Sequence, residues 1–222
     1  MRILLPVVII AVPCAPQSAR GVPPGLGSIE GQVVDASSGG PIAKATVIAE
    51  PDDPPAAGKL THTLADEGGK FLLDLAPGSY VIAGSKEQEL YPNVDNAALA
   101  VDPSLLPKVL VREGQPVRGV ILRLEKGAKL KGNIVNSRTR EPVITSRILL
   151  TRADNSKLWI STGPDIYGRF ELVIPTSPFK LEVTAPSYRP WVFSQPNPNR
   201  ESEVLQLSPE STKEILVELD PQ

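Results

Sequence analysis

The chain of 222 residues carries 23 Lys and Arg against 25 Asp and Glu, a formal charge of −2 at pH 7. This near balance excludes a strong overall field directed at nucleic acid or at an anionic membrane. The 24 prolines and 17 glycines favour a loop-rich all-β chain, because long helices would not accommodate so many breakers. A single cysteine, Cys14, and a single histidine, His62, exclude an intrachain disulfide and leave little basis for a zinc site.

The amino-terminal segment has the pattern of a secretory signal peptide. Arg2 is followed by an apolar run and then by a region of small residues that ends at Ala19. This order predicts a signal peptide over residues 1–19, and the apolar run is too short for a stable transmembrane anchor. Lipid attachment at Cys14 is the alternative, although Pro13 departs from the bacterial lipoprotein pattern. The predicted location is extracellular or periplasmic.

The first half of the mature chain alternates short strands and specified turns. Residues 20–27 are rich in Pro and Gly and predict a flexible leader. The turns at Asp66–Gly69 and Pro77-Gly78 are chemically specified, because Gly tolerates positive φ and Pro fixes φ. Alternation of apolar and polar residues predicts strands between these turns. We expect them at 29–34, 45–49, 60–64, around Phe71, 80–83, 109–111 and 117–124.

Two finer expectations concern the end of this half. Residues 87–107 are predicted to be irregular, with a single helical turn at 96–99. In the strand at 117–124, strict alternation places Val117 on the face opposite to Val120 and Leu122.

The pattern of the first half then returns in the second. Leu130, Gly132 and Ile134 match Ile29, Gly31 and Val33, and the match continues to the end of the chain. A repeat of this length predicts two copies of one domain, at 28–125 and 126–222, rather than a solenoid. About seven short strands per copy predict two tandem antiparallel β-sandwiches of the transthyretin-like or Ig-like kind. The linker at Lys126-Gly127 is short, which restricts motion between the copies.

Five short motifs occur in order in the first copy. They are Gly31-x-Val33-x-Asp35, Gly40-Pro41-Ile42, Ala45-x-Val47, Thr63-x-x-Asp66-x-x-Gly69-x-Phe71 and Leu75-x-Pro77-Gly78-x-Tyr80. Together they resemble the carboxypeptidase regulatory-like domain, a transthyretin-like sandwich in the wider group of carbohydrate-binding-like folds. The second copy matches less well and has Asn136 in place of Asp35.

The resemblance implies a module without an activity of its own. In zinc carboxypeptidases this domain stands beside a separate catalytic domain, which binds zinc with two histidines and a glutamate. This chain has only His62, so the resemblance implies an accessory, scaffold or binding role. Function inferred from fold in this way is an analogy.

The acidic turns allow two interpretations. Asp66, Glu67 and Asp165 could belong to calcium loops, but a calcium ion requires six or more oxygen ligands. The favoured prediction is that Asp66 and Asp165 accept hydrogen bonds from backbone N–H groups in their own turns.

Aromatic side chains concentrate in the second copy and form the candidate binding site. Sugars stack on flat aromatic faces, so an exposed pair would make a glycan platform, with core packing as the alternative. Trp191 follows Pro190 in a predicted loop and is the best candidate. The full candidate set is Trp191, Trp159, Tyr188 and Tyr167.

Basic residues of the second copy offer a second candidate surface. They would bind an acidic polymer if they formed one patch, and a solvated face is the alternative. They are Lys126, Lys129, Lys131, Arg138 and Arg140, of which Lys129 and Lys131 alternate with the apolar face and are expected to point outward.

The sequence as a whole predicts a non-catalytic, secreted interaction or scaffold module without cofactor or metal. Its partner would be a protein or a polysaccharide, not nucleic acid. Exposed edge strands would allow pairing with another chain. Carbohydrate binding by the second copy is the alternative function. Hydrolysis at an unrecognised site that includes His62 is the least favoured interpretation, because no partner residues for such a site are apparent.

Overall fold

The protein is composed of short strands. The computed structural model describes residues 22–52, 60–92, 107–153, 158–193 and 204–222, with the backbone alone at 158–161. In these ranges the strands are β1 (Gly27–Asp35), β2 (Thr46–Pro51), β3 (Thr61–Leu64), β4 (Lys70–Leu75), β5 (Gly78–Ser85), β6 (Lys108–Val111), β7 (Pro116–Leu124), β8 (Ala128–Asn136), β9 (Arg147–Arg152), β10 (Leu158–Thr162), β11 (Arg169–Ile174), β12 (Phe179–Thr184), β13 (Trp191–Val192) and β14 (Thr212–Leu219).

The predicted all-β class is confirmed. The helical content of the described ranges is one 3-10 turn at Glu87–Glu89. The predicted signal peptide with Cys14 and the helical turn predicted at 96–99 lie outside the described residues.

The first seven strands form two sheets, which we call the first sandwich. One sheet has the order β4-β1-β7 and the other β3-β2-β5-β6. Apolar side chains from both sheets meet in one buried cluster that includes Ile29, Val33, Phe71, Ile82 and Leu122. The alternation of apolar residues along these strands places this cluster between the sheets.

The last seven strands repeat this arrangement as the second sandwich. Their sheets have the orders β11-β8-β14 and β10-β9-β12-β13. The buried cluster between them includes Leu130, Ile134, Phe170, Leu181 and Val217. Each sandwich therefore has seven strands in the described part of the chain, as the internal repeat predicts.

The pairing is not antiparallel throughout. β1 pairs antiparallel with β4 but parallel with β7, and β8 pairs antiparallel with β11 but parallel with β14. The first strand of each sandwich is thus the centre of its sheet, and the last strand returns along its other edge in the same direction. Each three-stranded sheet is mixed, which corrects the antiparallel expectation.

A bulge in β7 changes which side chains face the core. The register between β1 and β7 shifts between Ile29 and Gly31, where β7 carries one extra residue at Gly119 with φ of +77°. Such a bulge interrupts strict alternation. Val117 and Val120 consequently both pack against the core, so the prediction that they lie on opposite faces was wrong.

The Asp66–Gly69 turn is fixed by close contact with β1. Gly69 adopts φ of +72°, and its carbonyl oxygen accepts a hydrogen bond of 2.8 Å from the Val33 backbone N–H. A Cβ atom at Gly69 would lie 2.6 Å from the Val33 carbonyl oxygen. Glycine is required here both for the left-handed backbone and for the approach to the neighbouring strand.

We predict that Gly69→Ala destabilises the protein by about 3 kcal/mol, because it combines backbone strain with a backbone clash. Gly39→Ala is the matched control. Gly39 also has positive φ, at +71°, but a Cβ atom there would meet nothing within 4 Å. Its expected cost is about 1 kcal/mol from strain alone. Urea unfolding measures both free energies, and equal losses would contradict the role of the Val33 contact.

Candidate functional site

The end of β1 is closed by the side chain of its last residue. Asp35 Oδ1 accepts hydrogen bonds from the backbone N–H groups of Ser37 and Ser38, at 3.1 and 2.7 Å, and from the Ser38 hydroxyl at 2.8 Å. Its second oxygen, Oδ2, accepts a hydrogen bond of 2.9 Å from the Tyr91 hydroxyl. One carboxylate therefore fixes the turn after β1 and also ties it to a residue that follows β5.

These hydrogen bonds shift the pKa values of both Asp35 and Tyr91. The backbone N–H of Ser38, its hydroxyl and the Tyr91 hydroxyl lower the pKa of Asp35 from its ordinary 3.8 to about 2. Tyr91 is buried, and this burial and the bond to Asp35 raise the pKa of its phenol well above the ordinary value. At neutral pH Asp35 is therefore a carboxylate that accepts the hydrogen bond, and Tyr91 is a neutral phenol that donates it.

The first residues of the second sandwich lie next to the Asp35–Tyr91 pair. Lys126 Nζ lies 5.9 Å from the centre of the Tyr91 ring and forms a 2.5 Å ion pair with Glu210. The bond to Glu210 raises the pKa of Lys126. The Gly127 backbone N–H donates to the Leu90 carbonyl at 2.7 Å. A Cβ atom at Gly127 would lie 2.2 Å from the Ile174 carbonyl oxygen, so the linker needs glycine.

Apolar contact extends the joint between the sandwiches. Ile48 on β2 and Ala83 on β5 are adjacent in the sheet and face away from the core of the first sandwich. Each is only 6% exposed, and both belong to the same buried cluster as the core of the second sandwich. The outer face of one sheet of the first sandwich is therefore covered at this point by the second sandwich.

A cleft of about 440 Å³ remains at the joint. Its described lining includes three carboxylates, and each has a partner: Asp35 with Tyr91, Glu89 with Lys86 at 2.6 Å, and Glu210 with Lys126. Within the described residues there is no group of three or more His, Cys, Asp or Glu side chains that could hold a metal ion. Each of these carboxylates is thus paired with a side chain of its own sandwich.

The second sandwich carries the equivalent turn without the carboxylate. Asn136 Oδ1 accepts hydrogen bonds from the backbone N–H groups of Arg138 and Thr139, at 2.8 and 3.1 Å. Its Nδ2 donates to the Tyr188 hydroxyl at 3.1 Å. An amide can therefore close the equivalent turn and contact the equivalent tyrosine, although an amide does not titrate.

Three of the four candidate aromatic side chains are described, and each has a different neighbour. Trp191 is half-buried, packs against the core of the second sandwich and makes an edge contact with Phe193 at 6.4 Å. Tyr188 is half-buried as well and contacts Asn136. Tyr167 is 62% exposed, with the Arg169 guanidinium 4.7 Å from the centre of its ring. The side chain of Trp159 lies outside the described residues, and glycan stacking by these four remains a prediction.

The acidic turns follow the favoured prediction. Asp66 Oδ1 accepts hydrogen bonds from the backbone N–H groups of Gly68 and Lys70, both at 2.8 Å. Asp165 Oδ1 accepts from Tyr167 and Arg169 in the same way, both at 2.9 Å.

The predicted basic residues do not act as one cationic patch. Lys129 and Lys131 alternate with buried residues on β8, as predicted. Lys129 pairs with Glu171 at 2.6 Å and Arg140 pairs with Glu218, while Lys126 belongs to the joint. Carboxylates thus neutralise three of the five predicted cations.

One surface was missed by the sequence interpretation. In the second sandwich the side chains of Ile144, Ile166 and Tyr167 are exposed by 54, 72 and 62%. The two loops that carry them touch, because a Cβ atom at Gly168 would lie 2.9 Å from Pro142 Cβ. We call these three residues the apolar tip. The repeat register could have revealed it, since the first copy has Ala43, Glu67 and Gly68 at these positions.

No protein-family model matches the chain, and no curated protein matches it in sequence. Solved structures that resemble it include the Bacillus anthracis TIE protein, at 13% identity and a TM-score of 0.35, over 89% of this chain and 34% of that one. A streptococcal ancillary pilin is 12% identical, with a TM-score of 0.35, over 89% of this chain and 63% of that one. The shaft pilin SpaA of Lactobacillus rhamnosus GG is 10% identical, with a TM-score of 0.34, over 89% of this chain and 98% of that one.

The chain thus spans about a third of the first of these proteins and less than two thirds of the second. At this level of similarity nothing about activity, ligand or partner follows. Across the ranges that the structure describes, no helix is long and apolar enough to cross a bilayer.

We predict that Asp35→Asn flattens the acid stability profile. The folded-state pKa of Asp35 is about 2, below the ordinary 3.8, so its carboxylate stabilises the fold above about pH 4. That contribution is lost as the pH falls toward 2, and the amide of the variant would not titrate. Because Asn136 closes the equivalent turn, the variant should fold. Melting temperatures between pH 7 and pH 2 measure this, and parallel profiles for the two proteins would contradict it.

Proposed function

We propose that this chain is a non-catalytic scaffold module whose two sandwiches are locked in one orientation. The observation that carries the proposal is the joint: Ile48 and Ala83 lie on the outer face of the first sandwich, yet both are buried with the core of the second. Two domains joined only by a flexible linker would leave these side chains in water. A fixed orientation lets the first sandwich position the second, which is what a scaffold requires.

The polar groups at the joint support the same role. The Asp35–Tyr91 hydrogen bond fixes the end of the first sandwich, and Lys126 connects Tyr91 to Glu210 of the second. Every carboxylate among the described residues of the cleft is already paired. These contacts hold the two sandwiches together, and none of the three carboxylates is left free to act as a base.

We further propose that the units are carboxypeptidase regulatory-like domains at 28–125 and 126–222. The motif residues have structural roles that fit such a domain. Asp35 closes a turn, Gly69 allows close approach to β1, and the Tyr80 hydroxyl donates to the Ala76 carbonyl at 3.0 Å. Phe71 is buried between the sheets.

The signal-like sequence at residues 1–19 supports a place outside the cytoplasm. In that setting, a scaffold without catalytic groups would act through a protein or polysaccharide partner. Lipid attachment at Cys14 would tether the same module to a membrane surface.

Residual dipolar couplings test whether the sandwiches are locked. In the processed wild-type protein, the couplings of both sandwiches should fit one alignment tensor. Ile48→Lys should give two different tensors, because it places a charge in the apolar part of the joint without entering the core of the first sandwich. Glu50→Lys is the matched control, since Glu50 is exposed on the same face of β2.

Amide spectra of the two variants establish that both sandwiches stay folded. Two distinct tensors in the wild-type protein would show independent domains and would overturn the proposal. A single tensor in Ile48→Lys would show that the polar contacts around Lys126, and not the apolar contact, hold the two sandwiches in one orientation.

A further inference from the structure

The turn before the last strand is built in the same way in both sandwiches. The turns at 112–115 and 208–211 are each closed by a 3.2 Å hydrogen bond from the N–H of the fourth residue to the carbonyl of the first. The third residue is Gly114 in one turn and Glu210 in the other. Each donates its N–H, at 2.8 Å, to the carbonyl of the residue that precedes the first strand of its sandwich. Gly114 and Glu210 therefore occupy equivalent positions.

Glu210 has a backbone conformation that favours glycine. Its φ is +60°, close to the +67° of Gly114. In this left-handed region the Cβ atom of an ordinary residue crowds the following carbonyl oxygen, which costs free energy. A turn with positive φ at its third position ordinarily has Gly or Asn there. The first sandwich makes the same hydrogen bonds with glycine, so the turn itself does not require a glutamate.

The Glu210 side chain reaches the joint between the sandwiches. Its carboxylate pairs with Lys126 Nζ at 2.5 Å, and this Nζ lies 5.9 Å from the centre of the Tyr91 ring. The two paired side chains are 60 and 35% exposed, so the ion pair by itself adds little to stability. Its place in the structure is more informative, because Tyr91 belongs to the first sandwich and Glu210 to the second. The ammonium of the linker residue thus contacts both.

Carboxylates of both sandwiches act on this ammonium. The hydrogen bond to Glu210 raises the pKa of Lys126, and the charges of Asp35 and Glu89 in the first sandwich raise it further. Without Glu210 the ammonium would be attracted by the first sandwich alone, and the body of the second would lose this contact with the linker. The apolar part of the joint would remain, but apolar contact is non-directional and does not select one angle.

We propose that Glu210 is a positioning residue that sets the orientation of the second sandwich by holding the Lys126 ammonium against Tyr91. The apolar contact of Ile48 and Ala83 keeps the sandwiches together, and Glu210 selects one orientation among those that this contact allows. The left-handed backbone is tolerated here because glycine has no carboxylate to offer. The inference rests on the proposed scaffold function and deepens it by naming the residue that fixes the angle.

A second charged residue at a glycine position provides the matched control. Arg140 has φ of +64° and corresponds to Gly39, whose φ is +71°. Its guanidinium pairs with Glu218, and neither residue belongs to the described lining of the cleft at the joint. Arg140→Gly therefore relieves the same kind of backbone strain and removes an ion pair of the second sandwich, but this pair does not include the linker.

Residual dipolar couplings of the processed full chain test the inference with three variants. In Glu210→Gly the couplings of the two sandwiches should no longer fit one alignment tensor. Glu210→Gln keeps the left-handed backbone and the length of the side chain but removes the charge, and it should lose the common tensor as well. Arg140→Gly should keep it. Both glycine variants should melt within about 3 °C of the wild type, because relief of strain offsets the loss of an exposed ion pair and the added freedom of the unfolded chain.

The possible outcomes separate this inference from the scaffold proposal. A common tensor in Glu210→Gly, as in the wild type, would overturn the inference and leave the scaffold proposal standing. A common tensor in Glu210→Gln alone would show that the backbone of the turn, and not the carboxylate, sets the orientation, which also contradicts it. Loss of the common tensor in Arg140→Gly would remove the special role of Glu210. Two tensors in the wild-type protein would refute the scaffold proposal and, with it, the inference.

Discussion

The architecture depends on the side chain that ends the first strand of each sandwich. Asp35 and Asn136 occupy equivalent places, and each closes the turn that follows and contacts a tyrosine beyond the fifth strand of its sandwich. A turn stabilised by its own backbone would set only the local chain direction. Here the same side chain also fixes a distant segment, and in the first sandwich that segment forms the platform on which the next domain starts.

The two copies differ at this point in an informative way. In the first, the acceptor is a carboxylate, the tyrosine is buried, and a lysine of the following domain lies over its ring. In the second, an amide contacts a half-buried tyrosine. The contact with the carboxylate, Asp35–Tyr91, lies where the two sandwiches meet. The negative charge of Asp35 at the Tyr91 hydroxyl attracts Lys126, so the exchange of Asp for Asn matches the presence of this neighbouring cation.

Much of the fold was predictable from local patterns. Period-two alternation located the strands, and Asp with Gly located the turns, because both signals act over a few residues. Val117 was misplaced because a bulge at Gly119 interrupts the alternation, and a lone glycine in a strand has several possible causes. The parallel return of β7 and β14 was missed for a similar reason, since strand direction is decided by chain topology and not by side-chain pattern. The Asp35–Tyr91 contact joins residues 56 positions apart, and only the repeated pairing of Asp35 with Tyr91 and Asn136 with Tyr188 hints at it.

The parallel pairing within each three-stranded sheet has a consequence for how the chain becomes folded. Arg118 on β7 meets Glu30 on β1 across 88 residues, and Arg140 meets Glu218 across 78. Contacts of such sequence separation are slow to form, because loop closure must precede any gain from pairing. Neither sheet can be completed until its last strand is available, so each sandwich stays open for most of its own synthesis.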